Sequence, residues 1–197
     1  MKIRYNAPVV LNYTLISVLV LLINPLVGGW LIQTWFMVPG QGYFDPGSIA
    51  SYIRLFTHVV GHISWEHLLG NFAIILLVGP ILEEKYGSFS LLFMILITAL
   101  VTGLLNSLLF EGALLGASGV AFMMILLAPF TNTKPGEIPL TLILIIALYI
   151  VKEVFQSFQS NNIAEFAHIA GGFCGSIFGF IKQKHRIKEL QAFSDND

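Results

Sequence analysis

The chain has 197 residues, of which 56% are apolar and only 11% are charged, and its formal net charge is −1. Soluble domains carry roughly 25% charged residues, so this chain has too few charges to cover a surface that faces water. The small net charge does not indicate binding to nucleic acid. The chain has a single cysteine, Cys174, which excludes an internal disulfide and a multi-thiolate metal site. The charges cluster between long apolar runs, which is typical of a polytopic membrane protein.

Six apolar segments follow one another along the chain, and they predict six transmembrane helices. In chain order they cover about residues 9–36, 67–85, 89–110, 116–130, 138–155 and 164–181, with a loop rich in Gly, Pro and aromatic residues at 37–51. A span needs about 20 residues, so the fourth segment is too short to reach both surfaces. Its N-terminus is therefore expected below one surface, next to loop and water.

The distribution of lysine and arginine predicts the orientation. With six spans both termini share one side, and that side carries eight basic residues, namely Lys2, Arg4, Lys85, Lys134, Lys182, Lys184, Arg186 and Lys188. The other side carries only Arg54 and Lys152. We therefore expect both termini to be cytoplasmic, in a single all-α domain over 1–197 with short tails at about 1–8 and 183–197.

Polar side chains that can do chemistry lie at the outer ends of three predicted spans. His67 and Asn71 are spaced i, i+4 on one face of the second span, Ser118 opens the fourth, and His168 lies one turn into the sixth. Ionisable groups inside spans are costly and usually functional. Because segments far apart in sequence bring these four side chains to a similar depth, we expect them to form one site.

The residue types fit nucleophilic catalysis by a dyad. A serine hydroxyl attacks only when a base takes its proton, and histidine titrates near neutral pH, which makes Ser118 the candidate nucleophile and His168 the candidate base. The backbone N–H of Ser118 at a helix N-terminus, with Asn71 and His67, can stabilise an oxyanion. No acidic residue lies within reach in these spans, so the sequence offers no triad.

Glycines flank these residues. We expect Gly116 and Gly119 to leave room for a substrate backbone beside Ser118. Gly171, Gly175 and Gly179 are spaced by four and form a small-residue stripe that permits close helix packing. The stripe is expected to dock the sixth span on the fourth and to bring His168 to Ser118.

Four strings, in this order, resemble the rhomboid family of intramembrane serine proteases: FTHVVGHISWEHLLGNF, EEKYGS, GASGV and AHIAGGFCG. The resemblance implies a six-helix bundle with Ser118 as nucleophile, His168 as base, and His67 and Asn71 supporting the oxyanion. Two positions depart from the family pattern. Phe122 stands where rhomboids often have a tyrosine stacked on the catalytic histidine, and Ile53-Arg54 stands where a Trp-Arg pair is common.

Other interpretations compete with the protease. A Gly/Ser cluster in a span often serves helix packing alone, and a rhomboid-like binder of transmembrane helices without catalysis is an alternative function. The spacing of His58, His62 and His67 loosely resembles a metal-binding histidine box, which would indicate a metal-dependent membrane enzyme. We prefer to interpret His58 and His62 as structural hydrogen-bonding residues, and we predict no metal and no cofactor.

The predicted partners are a transmembrane protein substrate and the lipid bilayer, and no nucleic acid. From the resemblance we expect the substrate to be a transmembrane helix that unwinds at its outer end. The expected location is a bacterial plasma membrane.

Overall fold

A computed structural model describes residues 4–134, 136–156 and 162–194, with side chains described over 4–134, 136–148 and 166–184. These residues are mostly helical, and the described part contains no strand beyond one isolated bridge between Val38 and Leu114. The helices, in chain order, are α1 Pro8–Ile23, α2 Trp30–Trp35, α3 Ile49–Thr57, α4 Trp65–Tyr86, α5 Ser88–Leu109, α6 Ser118–Leu127, α7 Leu140–Gln156 and α8 Asn162–Ser194.

Three stretches of the described chain are long and apolar enough to cross a membrane. They are Pro8–Val27, which combines α1 with the 3-10 turn after it, and the helices α4 and α5. Each contains 20 to 22 residues, which matches the roughly 20 residues that a bilayer core requires. Helix α6 is much shorter, with 10 residues before a 3-10 turn over Ala128–Asn132.

The first predicted segment, residues 9–36, is not one helix. Helix α1 ends at Ile23, a 3-10 turn covers Asn24–Val27, and Gly28 and Gly29 follow with φ of 65° and 82°. The sequence predicted one span with an interruption at Asn24-Pro25, and the structure shows a full break there, because proline cannot continue a regular helix and two glycines then favour the left-handed conformation. Asn24 Oδ1 accepts a hydrogen bond from the amide of Ile32 at 3.0 Å, which ties the broken ends together.

The predicted end of the sixth segment also differs from the structure. Helix α8 has 33 residues and continues through residues 183–194, which the sequence had suggested to be a solvated tail. This stretch contains Lys, Arg, Glu, Gln and Leu with no Gly or Pro, so its helix propensity is high and nothing breaks the helix. Residues 1–3 and 195–197 of the predicted tails lie outside the described residues.

A buried carboxylate joins the start of α1 to the turn between α4 and α5. Glu83 accepts hydrogen bonds from the amides of Val9 and Val10, at 2.9 and 3.0 Å, and from the Ser88 hydroxyl at 2.7 Å. The first amides of a helix have no intrahelical partners, so a carboxylate there satisfies both hydrogen bonding and the helix dipole.

Helix α6 lies in the middle of the helical packing. Seven of its ten residues are buried, and its most extensive neighbours are α8 and then α4. The main apolar core includes Val120, Met123 and Met124 of α6 with Phe72 and Ile75 of α4. A short helix with apolar neighbours on several sides therefore holds its first residue, Ser118, in a half-buried position.

Candidate functional site

The start of α6 is anchored by the loop between α3 and α4. The amide of Gly116 donates to the backbone carbonyl of His58 at 3.0 Å, and the amide of Ala117 donates to His62 Nε2 at 3.3 Å. Ser118 is the first residue of α6, and the first amides of an α-helix have no partner within the helix. The amides of Gly116 and Ala117 therefore already have acceptors. The next amides along the chain belong to the first turn of α6, which provides no acceptor for them within the helix.

His67 and Asn71 of α4 face this anchored loop. A Cβ atom added to Gly116 would lie 2.6 Å from His67 Cε1, 2.7 Å from His67 Nε2 and 3.7 Å from Asn71 Nδ2. Gly116 also has φ of 117°, a backbone conformation that only glycine adopts without strain. The structure therefore brings His67 and Asn71 to the residue that lies two positions before Ser118, and it requires glycine there.

His62 contributes a hydrogen-bond network that spacing alone could not reveal. Its Nδ1 lies 3.0 Å from the carbonyl oxygen of Val60, which can only accept, so Nδ1 carries the proton and Nε2 is an acceptor. Nε2 receives the Ala117 amide and lies 3.2 Å from Asn71 Nδ2. The sequence suggested structural hydrogen bonds for this histidine, but gave no sign that it would reach a residue 55 positions away.

Burial keeps the histidines of this loop neutral. The pKa of His62 is lowered to about 4, chiefly by desolvation. The hydrogen bond to Val60 raises this pKa, and the neighbouring His67 lowers it further. Desolvation likewise lowers the pKa of His58 to about 4. His58 Nδ1 lies 3.1 Å from the carbonyl oxygen of Arg54, and its Nε2 lies 3.3 Å from the Thr102 hydroxyl. Both rings are therefore uncharged hydrogen-bonding groups at neutral pH.

His168 of α8 lies against α6 through an aromatic contact. Its ring stacks on Phe122, with centroids 4.2 Å apart and an angle of 20° between the planes. Phe122 is four residues after Ser118, so the two residues share one face of α6. The imidazole of His168 is thus held over the first turn of α6, on the face that begins with Ser118.

The glycines between α6 and α8 allow their backbones to touch. A Cβ atom on Gly171 would lie 2.7 Å from the carbonyl carbon of Gly119, and one on Gly175 would lie 2.9 Å from that of Met123. A Cβ atom on Gly119 would lie 3.2 Å from the carbonyl oxygen of Ala167. Packing within the protein is therefore sufficient to explain Gly119, Gly171 and Gly175, whereas the expected access of substrate backbone at Gly116 and Gly119 stays a prediction.

The described part of the chain contains no set of metal-ligating side chains that would support the histidine-box interpretation. There, no three His, Cys, Asp or Glu side chains lie close enough together to hold a metal ion. The rings of His62 and His67 are near each other, with centroids 4.9 Å apart, but the Nε2 atom of His62 already accepts hydrogen bonds.

Comparison with known proteins identifies the family. Residues 50–185 match the model of the Rhomboid domain. The chain is 28% identical over 145 residues to the rhomboid protease GlpG of Haemophilus influenzae, a match that covers 70% of this chain and 73% of that protein. It is 29% identical over 179 residues to the proteins of the same name from Salmonella newport and Salmonella typhimurium, covering 88% of this chain and 63% of theirs.

The match to the Rhomboid domain runs from α3 into α8 and includes every residue of the candidate site, from His58 to His168. Together with the long apolar helices, it makes the chain an integral membrane protein. The chain belongs to the rhomboid family.

Proposed function

We propose that this chain is a serine-type intramembrane endopeptidase that hydrolyses peptide bonds of transmembrane substrates near the outer face of the membrane. The observation that carries the proposal is the stacking of His168 on Phe122, one helical turn after Ser118. Family membership and the names of the Haemophilus and Salmonella relatives support the same reaction class. Ser118 is the nucleophile and His168 is its base.

In the first step, Ser118 Oγ attacks the carbonyl carbon of the substrate while His168 accepts the hydroxyl proton. The resulting tetrahedral intermediate collapses to an acyl-enzyme, and His168 returns the proton to the leaving amine. Water then attacks the acyl carbonyl while His168 accepts its proton; the ester bond to Ser118 breaks, His168 returns the proton to Ser118 Oγ, and the second product leaves with a free carboxylate. No metal or cofactor enters this sequence.

The negative charge of the intermediate needs donors that are already oriented. We assign this role to the Ser118 amide, the Asn71 carboxamide and the His67 imidazole. The position of His67 and Asn71 beside Gly116 supports the assignment. His62 supports it as well, because its Nε2 atom is an acceptor and so directs the NH₂ end of Asn71, rather than its oxygen, along this edge of the site.

The proposed topology has six spans, with both termini cytoplasmic and the site toward the outer face. Helix α6 supports a nucleophile below the surface, because 10 residues extend only about 15 Å, half the thickness of the hydrocarbon core. The lysine and arginine distribution supports the orientation. The bacterial source of the relatives supports location in a bacterial plasma membrane.

We propose that the substrate is a transmembrane helix that unwinds at its outer end. A peptide bond inside a helix is shielded by its neighbours, so the segment must leave the helical conformation before Ser118 can reach its carbonyl. Substrates with small or helix-breaking residues at that end should therefore be cleaved fastest.

The decisive experiment treats purified full-length protein with a fluorophosphonate probe and, in parallel, reconstitutes it with single-span substrates whose products are mapped by mass spectrometry. Wild type should be labelled at Ser118 and should cleave, while Ser118→Ala should do neither. Binding of a transmembrane substrate without labelling or cleavage would favour the non-catalytic binder. Loss of wild-type cleavage on addition of EDTA would favour the metal-dependent enzyme.

A further inference from the structure

A groove lies between α5 and α8, where its α8 residues begin ten residues after His168. Its volume is about 420 Å³, within the range of roughly 300–1,000 Å³ that is typical of ligand pockets. Five of the seven lining side chains are apolar, namely Phe89, Phe93, Met94, Phe178 and Ile181. The two polar ones are Ser90 and Lys182.

The groove has a polar end and an apolar end. Lys182 Nζ donates a hydrogen bond to Ser90 Oγ at 3.2 Å, and both residues lie where the candidate span α5 begins. Phe93 and Met94 are three and four residues further along α5, on the face of Ser90, and Phe178 is four residues before Lys182 on its face of α8. Moving from the helix end into the span, the lining thus changes from an ammonium and a hydroxyl to aromatic and aliphatic groups.

The charge of Lys182 is not neutralised by its hydrogen bond, because the Ser90 hydroxyl carries no charge. At the end of α4, next to the turn into α5, the Glu83 carboxylate already accepts three hydrogen bonds from Val9, Val10 and Ser88. A partly buried ammonium at the mouth of an apolar groove is complementary to an anion that carries a long apolar chain. Lys side chains near a membrane surface attract anionic lipids for the same electrostatic reason.

We propose that this groove, which we call the α5–α8 groove, binds an anionic phospholipid, with its phosphate at Lys182 and Ser90 and an acyl chain along Phe93, Met94 and Phe178. Exposed side chains support a lipid occupant, since Phe89 is 84% and Phe93 54% exposed in a protein surrounded by bilayer. In the proposed orientation the lipid belongs to the cytoplasmic leaflet. The inference concerns a site other than the catalytic one and does not depend on proteolysis.

The test is native mass spectrometry of the detergent-solubilised full chain, titrated with phosphatidylglycerol or with phosphatidylcholine of the same acyl chains. Wild type should prefer phosphatidylglycerol. Lys182→Met, which keeps the apolar stem and removes the charge, should lose about fivefold in affinity for it, the preference that one basic residue typically provides. Lys182→Arg should retain the preference. Phe93→Ala should weaken binding of both lipids.

Lys184→Met is the matched control, because it removes an equal charge from an exposed residue of α8 that does not line the groove. Equal losses for Lys182→Met and Lys184→Met would overturn the proposal and indicate a diffuse surface-charge effect. Displacement of the lipid by inorganic phosphate alone would also overturn it, since the site would then recognise an anion without its chain. If Lys182→Met does not fold, Lys182→Gln serves in its place, with the same expected loss.

Discussion

His62 Nε2 lies 3.2 Å from Asn71 Nδ2, and the same nitrogen accepts a hydrogen bond from the Ala117 amide at 3.3 Å. One neutral imidazole therefore orients a carboxamide of α4 and also holds the residue immediately before Ser118. The proposed oxyanion donors from two helices are linked through a loop histidine that makes no contact with the substrate in our mechanism. We therefore propose that His62 is a positioning residue, which acts through Asn71 and Ala117.

The effects on kcat of substituting Asn71 and of substituting His62, which orients the Asn71 amide, should be coupled. Asn71→Ala should lower kcat by about 100- to 1,000-fold, which is typical for loss of one oxyanion donor. His62→Leu should also lower kcat, but by less, because the Asn71 amide remains while its orientation and the acceptor for the Ala117 amide are lost. Kinetics on a reconstituted substrate will measure both.

The double variant separates positioning from general damage. In an Asn71→Ala background, His62→Leu should lower kcat by a smaller factor than it does in wild type, since residues in one network show non-additive effects and only the hydrogen bond from Ala117 is still lost. Full additivity, or a kcat unchanged by either single substitution, would contradict the coupling.

The α6–α8 contact should be intolerant of side chains. Gly171→Val and Gly175→Val should separate the helices by an ångström or more, because the added atoms meet the backbone of Gly119 and Met123. A 1 Å misplacement of reacting groups can cost about a hundredfold in rate. Gly70→Ala on α4 is the control and should retain activity, because a Cβ atom at Gly70 would meet open space. Gly136 is unsuitable as a control, because its φ is positive and any side chain there would be strained. Full activity and stability of both valine variants would show that the docking face is wrong.

The proposed dyad should behave as one unit. Ser118→Ala and His168→Ala should each nearly abolish cleavage, and the double variant should lose little more, as expected for residues that act together. A fluorophosphonate should label His168→Ala far less than wild type. Phe122→Tyr should remain active, since the stacked ring is kept. Cleavage of a transmembrane substrate by Ser118→Ala would refute the serine mechanism.

Stability should fall on acidification between pH 6.5 and about 4. The pKa of His58 and of His62 is about 4 in the folded protein, lowered from 6.5 chiefly by burial. Below pH 6.5 the unfolded chain binds protons that the folded chain excludes, so the free energy of unfolding decreases until the pH reaches the folded pKa. Thermal unfolding at a series of pH values should show a shallower dependence for His62→Leu than for wild type. Parallel curves would mean that His62 does not titrate in this way.

Thiol labelling should test the topology. The native thiol of Cys174 is buried, so an added cysteine can be read against a low background. Asn196→Cys should react only after the membrane is permeabilised, and Asp45→Cys, in the exposed loop between α2 and α3, should react from outside in intact cells. Labelling of Asn196→Cys from outside would remove the basis for six spans and for the proposed depth of Ser118.

The sequence predicted the parts of the molecule that depend on local pattern. Apolar length predicted the helices α4 and α5 nearly at their observed bounds, and the short string Gly116-Ala117-Ser118 predicted the start of α6. It did not give the break at Asn24–Gly29 in full or the extension of α8. The break needs two consecutive left-handed glycines, and the extension depends on helix propensity outside an apolar run.

The sequence predicted which candidate residues share a helix face, but not the hydrogen bonds that connect them. Periodicity places His67 and Asn71 on one face, and i, i+4 spacing relates Ser118 to Phe122. The hydrogen bonds of His62 to Ala117 and of Gly116 to His58 join loops that are more than fifty residues apart, and they depend on how α4 packs on α6. Such long-range pairs leave no periodic signal in a single sequence.

The close approach of α6 and α8 also has a genetic consequence. At Gly171 the obstacle to a larger residue is the main-chain carbonyl of Gly119, which every amino acid possesses. No replacement at position 119 can therefore make space for a bulkier residue at 171. A clash between two side chains would differ, because a smaller side chain on one helix could relieve it. A search for second-site suppressors of Gly171→Val should recover revertants to small residues and changes that shift α8 as a whole, rather than compensating substitutions on the facing surface of α6.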